Sequence, residues 1–398
     1  MAEEYKENFN NLDNYKLESE IPCYKKSCFI ITIFLILIIL ILAGAVIIFK
    51  LMFYGRYKME DEYANDYSIK AEYYSEKDEE IDLINEKYLH EITEIMIDNE
   101  LQEICTKYIF NNSGAHIVYF KMNISSINSL SNLFAQISKV TSITFYSLFN
   151  TENITSMDSM FKNCERLTSL DISRLKTHNV ITMKSMFSGL LSLKRIDLSK
   201  FDTKNLEDMS NMFEYSSNLT LINLSNFKGD KIWTLVETFH GCTSLTSIDF
   251  NNFNTPKLMT LQSTFEDCFS LKSIDLSSFN IENINCMTYT FKNCISLKSI
   301  DFSGFKENQQ VTHYGMFNNC TSLTHANLKN FKLEIQEFYM FYDCPNLIHI
   351  DISSFWTKAD KVVLFNALPP LGEIIVNSTF IKKIDNQIPE GWTKTLID

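Results

Sequence analysis

Residues 287–305 read MTYTFKNCISLKSIDFSGF, and variants of this stretch recur along the chain. Its central phenylalanine, Phe291, belongs to a series in which successive members are 26 residues apart. The series comprises Phe161, Phe187, Phe213, Phe239, Phe265, Phe291 and Phe317, with a weaker copy at Phe134 before it and Phe341 and Phe365 after it. Self-similarity at such a period is typical of solenoids, whose units bury their apolar faces against one another. About ten stacked units are therefore predicted over residues 133–390.

Each unit has two halves with different apolar periods. In the second half apolar residues alternate with Asp or Asn and Ser, as in IDLS at 274–277, which predicts a short strand with one face inward. In the first half, M-x-x-M-F-x-x-C at 157–164 has the spacing of one helix face. The expectation is an α/β solenoid of about 26-residue units with a parallel β-sheet on one face.

The repeat resembles the leucine-rich repeats of BspA-like, Treponema-type surface proteins and the related DUF285 repeats. The resemblance rests on the core M-x-x-M-F-x-x-C-x-x-L-x-x-[LI]-D-[LI]-S-x-F and on the ending IPEGW at 388–392. It implies a leucine-rich repeat fold and a cell-surface or secreted binding protein, of the kind linked with adhesion to host or matrix proteins.

A membrane-spanning helix is predicted near the N-terminus. Residues 28–49 contain no charged side chain, and at about 1.5 Å per residue they would extend roughly 33 Å as a helix, enough to cross a bilayer. We assign residues 1–27 to a short cytoplasmic tail and residues 28–50 to a signal-anchor helix. The alternative is a signal peptide cleaved after Ala45, because Ala43-Gly44-Ala45 has the small residues of a cleavage site.

The charges beside the span favour an external C-terminal region, although the preference is small. Lys25 and Lys26 directly precede the span, and basic residues concentrate on the cytoplasmic side. Cys23 and Cys28 at this edge are candidates for S-acylation. Glycosylation sequons all follow the span, and their asparagines are Asn111, Asn123, Asn153, Asn218, Asn223, Asn319 and Asn377.

A neck is predicted between the span and the repeats. Residues 51–75 are acidic and rich in tyrosine, which predicts a flexible segment. Over residues 76–132 the apolar residues follow a spacing of threes and fours, which predicts an amphipathic helix. This helix would be either a coiled-coil stalk, with self-association through residues 76–110, or a cap on the first repeat. Residues 391–398 form the C-terminal end.

The outward face of the predicted sheet supplies the candidate binding residues. Ten residues after each phenylalanine an acidic row is expected, in which neighbouring carboxylates repel one another unless hydrogen bonds to nearby Ser, lysines or a cation offset the repulsion. Basic residues lie beside this row at variable positions, where partner specificity would reside. The candidates are Asp171, Asp197, Lys194, Arg195, Asp249, Lys272, Asp275, Lys298, Asp301, His325, His349 and Asp351.

Composition excludes several classes of function. The formal charge is −13, from 49 acidic and 36 basic residues, so a nucleic-acid partner is not expected. The seven histidines have no nucleophile or paired carboxylate at a catalytic spacing, and no phosphate loop or G-x-S-x-G occurs. No enzymatic activity, metal or cofactor is expected. Six cysteines share one position of the repeat and are predicted to be free thiols in the core.

These observations predict a single-pass protein of the cell membrane whose external leucine-rich solenoid binds a protein or glycan. The units from Phe265 to Phe317 are the predicted contact region. Two alternatives remain open at this point: a self-associating structural coat protein, and a secreted form released by cleavage after Ala45.

Overall fold

The computed structural model describes residues 63–304, 311–329, 339–359 and 362–397. The predicted tail (1–27), the predicted membrane span (28–50) and residues 51–62 of the predicted neck lie outside these ranges. Within the described residues, no helix combines the length and the apolar character that a bilayer crossing requires.

The N-terminal part of the described chain forms β-strands where a helix was predicted. The strands are β1 (Ile69–Ser75), β2 (Glu80–Asp82), β3 (Ile92–Ile97), β4 (Glu100–Gln102), β5 (Lys107–Ile109) and β6 (Gly114–Met122), with a 3₁₀ helix at Glu86–Glu91. The prediction of a helical stalk or cap over residues 76–132 is therefore wrong. The prediction of a flexible neck over residues 51–75 is wrong where β1 lies.

The N-terminal residues form strands because fully buried side chains alternate with a period of two, most clearly in β1, although apolar residues three and four apart also occur along the segment. In β1, Ile69, Ala71 and Tyr73 are fully buried, because residues two apart share one face of a strand. The apolar residues at 81, 84, 88, 92 and 95 are also buried, but they belong in succession to β2, the following loop, the 3₁₀ helix and β3. Their helical spacing therefore spans several short elements.

This N-terminal sheet is continuous with the repeats. Its strand order is β4-β3-β6-β1-β7-β8, where β7 is Val140–Phe145 and β8 is Ser169–Asp171. Strand β7 pairs antiparallel with β1, with Ile69 opposite Phe145, and parallel with β8, with Ser142 opposite Ser169. The N-terminal sheet thus covers the first turn of the solenoid, and its last two strands, β7 and β8, already run parallel, as the repeat strands do.

The repeats contribute one short strand per turn to parallel sheets. The strands are β9 (Leu221–Asn223), β10 (Ser247–Asp249), β11 (Ser299–Asp301), β12 (His325–Asn327), β13 (His349–Ile352), β14 (Gly372–Asn377) and β15 (Trp392–Ile397). Strands β11 to β15 form one five-stranded parallel sheet. A short helix, α1 (Ile381–Ile384), and a 3₁₀ helix (Asp385–Gln387) precede β15.

The sheet is interrupted, in contrast to the continuous sheet that the repeat predicts. Strands β9 and β10 form a separate pair, and neither Ile196 nor Ile274 lies in a strand. The bonds from the Thr220 N–H to the Lys194 carbonyl and from the Lys272 N–H to the Thr246 carbonyl are 3.3 and 3.4 Å long. Because each strand has about three residues, such long bonds leave too few good pairs to complete a ladder.

The M-x-x-M-F-x-x-C segments form successive turns, so the α part of the α/β prediction is wrong. Ser159 and Asn163 have φ angles of +55° and +59°, and a right-handed helix cannot pass through residues in that region. The N–H of Phe161 donates to the carbonyl of Met186 in the next unit at 3.0 Å, which is a bond between units. These turns direct apolar side chains that are three or four residues apart into the core without forming a helix.

A column of stacked phenylalanines forms the centre of the core. Phe239 is fully buried, and its ring centroid lies 5.6 Å from that of Phe213 and 5.5 Å from that of Phe265, with interplanar angles of 4° and 2°. The same stacking continues from Phe134 to Phe365. The series that defines the repeat in the sequence is therefore a single stack of rings along the solenoid.

The prediction of free core thiols is confirmed. The six cysteines are Cys164, Cys242, Cys268, Cys294, Cys320 and Cys344, all free and fully buried. Each Sγ donates to a phenylalanine carbonyl of the preceding unit at 3.0–3.2 Å. Ser216 occupies the same position, and its hydroxyl donates to the carbonyl of Phe187 at 2.6 Å. Leu190 occupies the same position in another unit and is also fully buried, so the position accepts buried side chains with or without a donor.

A row of buried threonines joins neighbouring units on another side of the solenoid. The hydroxyl of Thr177 accepts from the N–H of Asp202 at 2.8 Å and donates to the carbonyl of Asp202 at 3.1 Å. Thr151, Thr203 and Thr255 make the same pair of bonds to the next unit. In each of these units one threonine hydroxyl thus makes the two bonds to the next unit that backbone groups make in a β-sheet.

Replacing Thr177 with valine is expected to lower the free energy of unfolding by about 1–3 kcal/mol, because both backbone groups of Asp202 lose their partner. Urea unfolding followed by circular dichroism measures this loss. Thr177→Ser keeps the hydroxyl and should retain most of the stability. Equal losses in the two variants would show that the methyl group, not the hydroxyl, stabilises this position.

Candidate functional site

The predicted candidate residues lie together on the outward face of the repeat strands. In β9, β10 and β11 the middle residue, Ile222, Ile248 or Ile300, is buried, so the flanking side chains point to solvent. The twelve candidates are exposed or half-buried: Asp171, Asp197, Lys194, Arg195, Asp249, Lys272, Asp275, Lys298, Asp301, His325, His349 and Asp351. We call this surface the sheet face.

The acidic row of the sheet face has a local structural role. The Oδ1 atom of Asp275 accepts from the backbone N–H of Ser277 at 2.9 Å, and Asp301 accepts from Ser303 at 2.8 Å. The same bond over two residues is made at Asp171, Asp197, Asn223, Asp249, Asn327 and Asp351. These are Asx turns, which close the loop after each strand.

Hydrogen bonding stabilises the ionised form of two members of the row, Asp197 and Asp275. The N–H of Ser277, followed by its hydroxyl, holds the pKa of Asp275 below its ordinary value, and Ser199 lowers the pKa of Asp197 in the same way. A carboxylate that accepts such bonds is stabilised in its charged form. The predicted bonds to Ser are therefore present, with the backbone N–H as the larger contributor.

The cations beside the acidic row differ from it. The side chains of Lys194, Arg195, Lys272 and Lys298 are exposed, and within the described part of the chain none makes a salt bridge or a side-chain hydrogen bond. Because the acidic side chains are turned toward their own loops, they leave these cations without a partner. The basic groups are consequently available to a ligand.

At the C-terminal end the sheet face carries a histidine pair. The rings of His325 and His349, on adjacent strands β12 and β13, stack with centroids 4.5 Å apart. Nδ1 of His349 lies 3.4 Å from a carboxylate oxygen of Glu373 on β14. A shallow depression is lined by these three residues and by Ile350 and Ile375, among others. The sequence indicates the two histidines but not Glu373, because the last units depart from the 26-residue spacing.

The candidate glycosylation sites fall into two structural groups. Asn111 and Asn153 are exposed. The side-chain amide of Asn377 donates to the carbonyl of Phe355 at 2.5 Å, and that of Asn319 donates to Asn293 at 2.9 Å. Asn218 donates to the carbonyl of Leu191, whereas Asn123 and Asn223 accept from serines two residues on. Glycan attachment fits the structure best at Asn111 and Asn153.

Two further thiols are accessible in part. Cys105 and Cys286 are free and half-buried, and burial raises the pKa of Cys105. Sγ of Cys286 lies 3.9 Å from the side-chain oxygen of Gln262. The candidate acylation sites Cys23 and Cys28 lie outside the described residues.

Stacked turns with short parallel strands on one face and a repeated apolar core define a leucine-rich repeat solenoid. Residues 210–310 and 261–390 match the family model of the BspA type leucine rich repeat region, in six copies, and residues 128–245 match DUF285, described as a Mycoplasma protein of unknown function. The chain therefore carries leucine-rich repeats of the BspA type over residues 210–390. No curated protein matches it.

Proposed function

We propose that this chain is a membrane-anchored cell-surface protein that binds a protein or glycan through the sheet face and has no enzymatic activity. The observation that carries the proposal is the row of exposed cations, Lys194, Arg195, Lys272 and Lys298, which lack partners among the described residues. Lys292, by contrast, pairs with Glu266 at 2.6 Å on the turn segments, whereas the four sheet-face cations remain open to an anionic ligand.

The proposed partner carries anionic groups. Arginine and lysine bind carboxylates and sulfates by charge-assisted hydrogen bonds. The guanidinium of Arg195 can donate two parallel hydrogen bonds to one such group. The acidic row sets a limit on the partner, since ligand anions must lie over the cations and away from Asp197, Asp275 and Asp301. Sulfated or sialylated glycans and acidic protein loops have this chemistry.

The sheet face is suited to binding without a large conformational change. Asx turns fix the loops after the strands, and the units are joined by hydrogen bonds at every turn. A preformed surface keeps the entropy cost of association low. The units from Phe265 to Phe317 combine Lys272 and Lys298 with the nearby His325, and we propose them as the centre of the contact.

The membrane anchor and the external location of the solenoid belong to the proposal. They rest on the uncharged apolar residues 28–49 and on the Lys25-Lys26 pair. The family match supports a surface protein of the adhesin type.

Reversing the charge of Lys194, Arg195, Lys272 and Lys298 to Glu is expected to weaken attachment of cells displaying the protein to immobilised heparin and matrix proteins by at least about tenfold, because each anionic contact becomes repulsive. The attachment of cells with the unaltered protein should also fall as the salt concentration rises. Attachment is scored against the amount of protein on the surface, measured through a C-terminal tag.

The matched control reverses four exposed lysines that lie away from the sheet face: Lys176, Lys184, Lys228 and Lys257. These changes should leave attachment intact. If both quadruple variants attach equally to every surface that the unaltered protein binds, the sheet face is not the binding surface.

A further inference from the structure

The turn segments carry an ionic column that the sheet-face proposal does not use. Glu214, His240, Glu266 and Lys292 are spaced by 26 residues and therefore occupy one position in four adjacent units. Glu266 pairs with Lys292 at 2.6 Å, which compensates its charge. The other two members, Glu214 and His240, form the basis of the inference.

Potential ligand atoms converge around His240. One oxygen of Glu214, one oxygen of Glu237 and one ring nitrogen of His240 lie within 4.8 Å of one another. Two carboxylates and an imidazole at such distances match the donor set that proteins offer to zinc and related divalent metals. The side chain of His240 is only 16% exposed, so the group is partly shielded from water.

The two ring nitrogens of His240 differ in their polar neighbours. Nε2 lies 3.4 Å from Oδ2 of Asp267. Nδ1 is buried and has no hydrogen-bond partner among the described residues. A buried nitrogen without a partner is unfavourable, and a metal bound to Nδ1 would give it one. A histidine that binds a metal through one nitrogen and faces a carboxylate with the other is a recurrent arrangement.

Neighbouring side chains hold the carboxylates in place. Oε2 of Glu237 accepts from the amide of Asn211 at 2.7 Å, and Oε2 of Glu214 accepts from the hydroxyl of Ser188 at 3.3 Å. Asp267 accepts from Asn293 at 2.6 Å through its other oxygen, Oδ1. Each carboxylate is thus oriented through one oxygen and keeps the second for another contact, which is how outer residues position metal ligands.

The position of Gly241 brings an aromatic ring against the same histidine. A Cβ atom at Gly241, where φ is +71°, would lie 2.4 Å from Cδ1 of Tyr215. The Tyr215 ring centroid is 4.9 Å from that of His240. Since a side chain at residue 241 would displace this ring, the glycine permits the tyrosine to cover one side of the group.

We propose that Glu214, Glu237 and Nδ1 of His240 bind a divalent transition metal of the zinc class, with Asp267 orienting the imidazole. The imidazole selects against calcium and magnesium, which prefer oxygen ligands. Three protein ligands leave one position of a tetrahedral ion for water or for a donor from a partner. The site is on the turn segments and is independent of the sheet face.

The test measures zinc binding to the full-length chain, purified in detergent under reducing, metal-free conditions, by equilibrium dialysis. The unaltered chain should bind one more zinc equivalent than His240→Gln. Glu237→Gln, which still accepts the bond from Asn211, should weaken that binding by at least about tenfold, and Ser188→Ala by about tenfold. His178→Gln, which removes a half-buried solenoid histidine that belongs neither to this group nor to the sheet face, is the matched control and should bind as the unaltered chain does.

Equal zinc stoichiometry in the unaltered chain and in folded His240→Gln would overturn the proposal, and so would equal zinc affinity in the unaltered chain and in folded Glu237→Gln. So would the cobalt derivative of the unaltered chain if its spectrum showed a thiolate charge-transfer band, because the ion would then be on cysteine. Circular dichroism establishes that each variant is folded. If His240→Gln does not fold, Glu237→Gln alone decides the outcome.

Discussion

Replacement of Phe239 with alanine is expected to lower the free energy of unfolding by about 3–5 kcal/mol. Phe239 is fully buried between the rings of Phe213 and Phe265, and its edge meets Phe250 at a centroid distance of 6.1 Å. The neighbouring rings are fixed by their own units and cannot collapse into the cavity, so little of the loss is recovered. Urea unfolding measures the effect.

Phe269 provides the matched control, because it is a phenylalanine of the next unit, four residues after Phe265, but is 40% exposed. Phe269→Ala removes the same atoms from a position outside the stack and should cost about 1 kcal/mol or less. If the two substitutions cost the same, the column of stacked rings would not be the main source of stability.

A second large effect is expected at alkaline pH. Burial raises the pKa of Cys344 to about 12 and raises the pKa values of Cys268, Cys294 and Cys320 well above the ordinary thiol value. Burial acts in the same direction on Cys164 and Cys242. The folded protein therefore keeps these protons at a pH at which the unfolded chain releases them.

The direction of the pH effect on stability follows from the linkage between thiol ionisation and unfolding. The thiol contribution is fully present below the unfolded pKa of about 9 and is lost as the pH rises from there toward the folded pKa values. Each thiol lowers the unfolding free energy by about 1.4 kcal/mol per pH unit in that window, and six thiols together by about 8 kcal/mol per unit. Urea unfolding at pH 8, 9 and 10, with a reductant present, measures the slope.

Cys294→Ser isolates one thiol from this slope. Serine is already accepted at the equivalent position, where Ser216 donates to the carbonyl of Phe187, and a hydroxyl does not titrate in this range. The slope should decrease by about 1.4 kcal/mol per pH unit. An unaltered slope would mean that other groups, such as the buried Tyr73, whose pKa is also raised by burial, control alkaline unfolding.

The solenoid and its core could be predicted because they depend on contacts between equivalent residues. A residue type that recurs every 26 positions stacks against the equivalent residues of the neighbouring turns. The column from Phe161 to Phe317 and the buried cysteines therefore follow from the period alone. The sheet face follows from the alternation in stretches such as IDLS at 274–277, which places Asp275 outward.

The turn segments and the N-terminal sheet could not be predicted in the same way. Apolar spacing of threes and fours indicates a helix only when the backbone between those residues is right-handed. Ser159 and Asn163 have positive φ angles, and nothing in their side chains requires this. Near Ile81 and Tyr88 the same spacing arises from several short elements, because tertiary pairing determines the backbone, as where β2 pairs with β5 and Ile81 lies opposite Tyr108.

The group around His240 could not be predicted for a different reason. Its members have no metal-binding spacing within one unit, so no short metal-binding motif contains them. The signal is present across units, since Glu214, His240, Glu266 and Lys292 share one repeat position. The pairing of Glu237 with this column depends on the turn geometry and needs the structure.

The most direct test of the central proposal, external display of the solenoid, is the accessibility of a tag placed after Asp398 on intact cells. Antibody staining without permeabilisation and removal of the tag by added protease are measured together, with permeabilised cells as the control. The proposal predicts staining and complete removal on intact cells. Protection of the tag until the cells are permeabilised would contradict external display and with it binding to an extracellular partner.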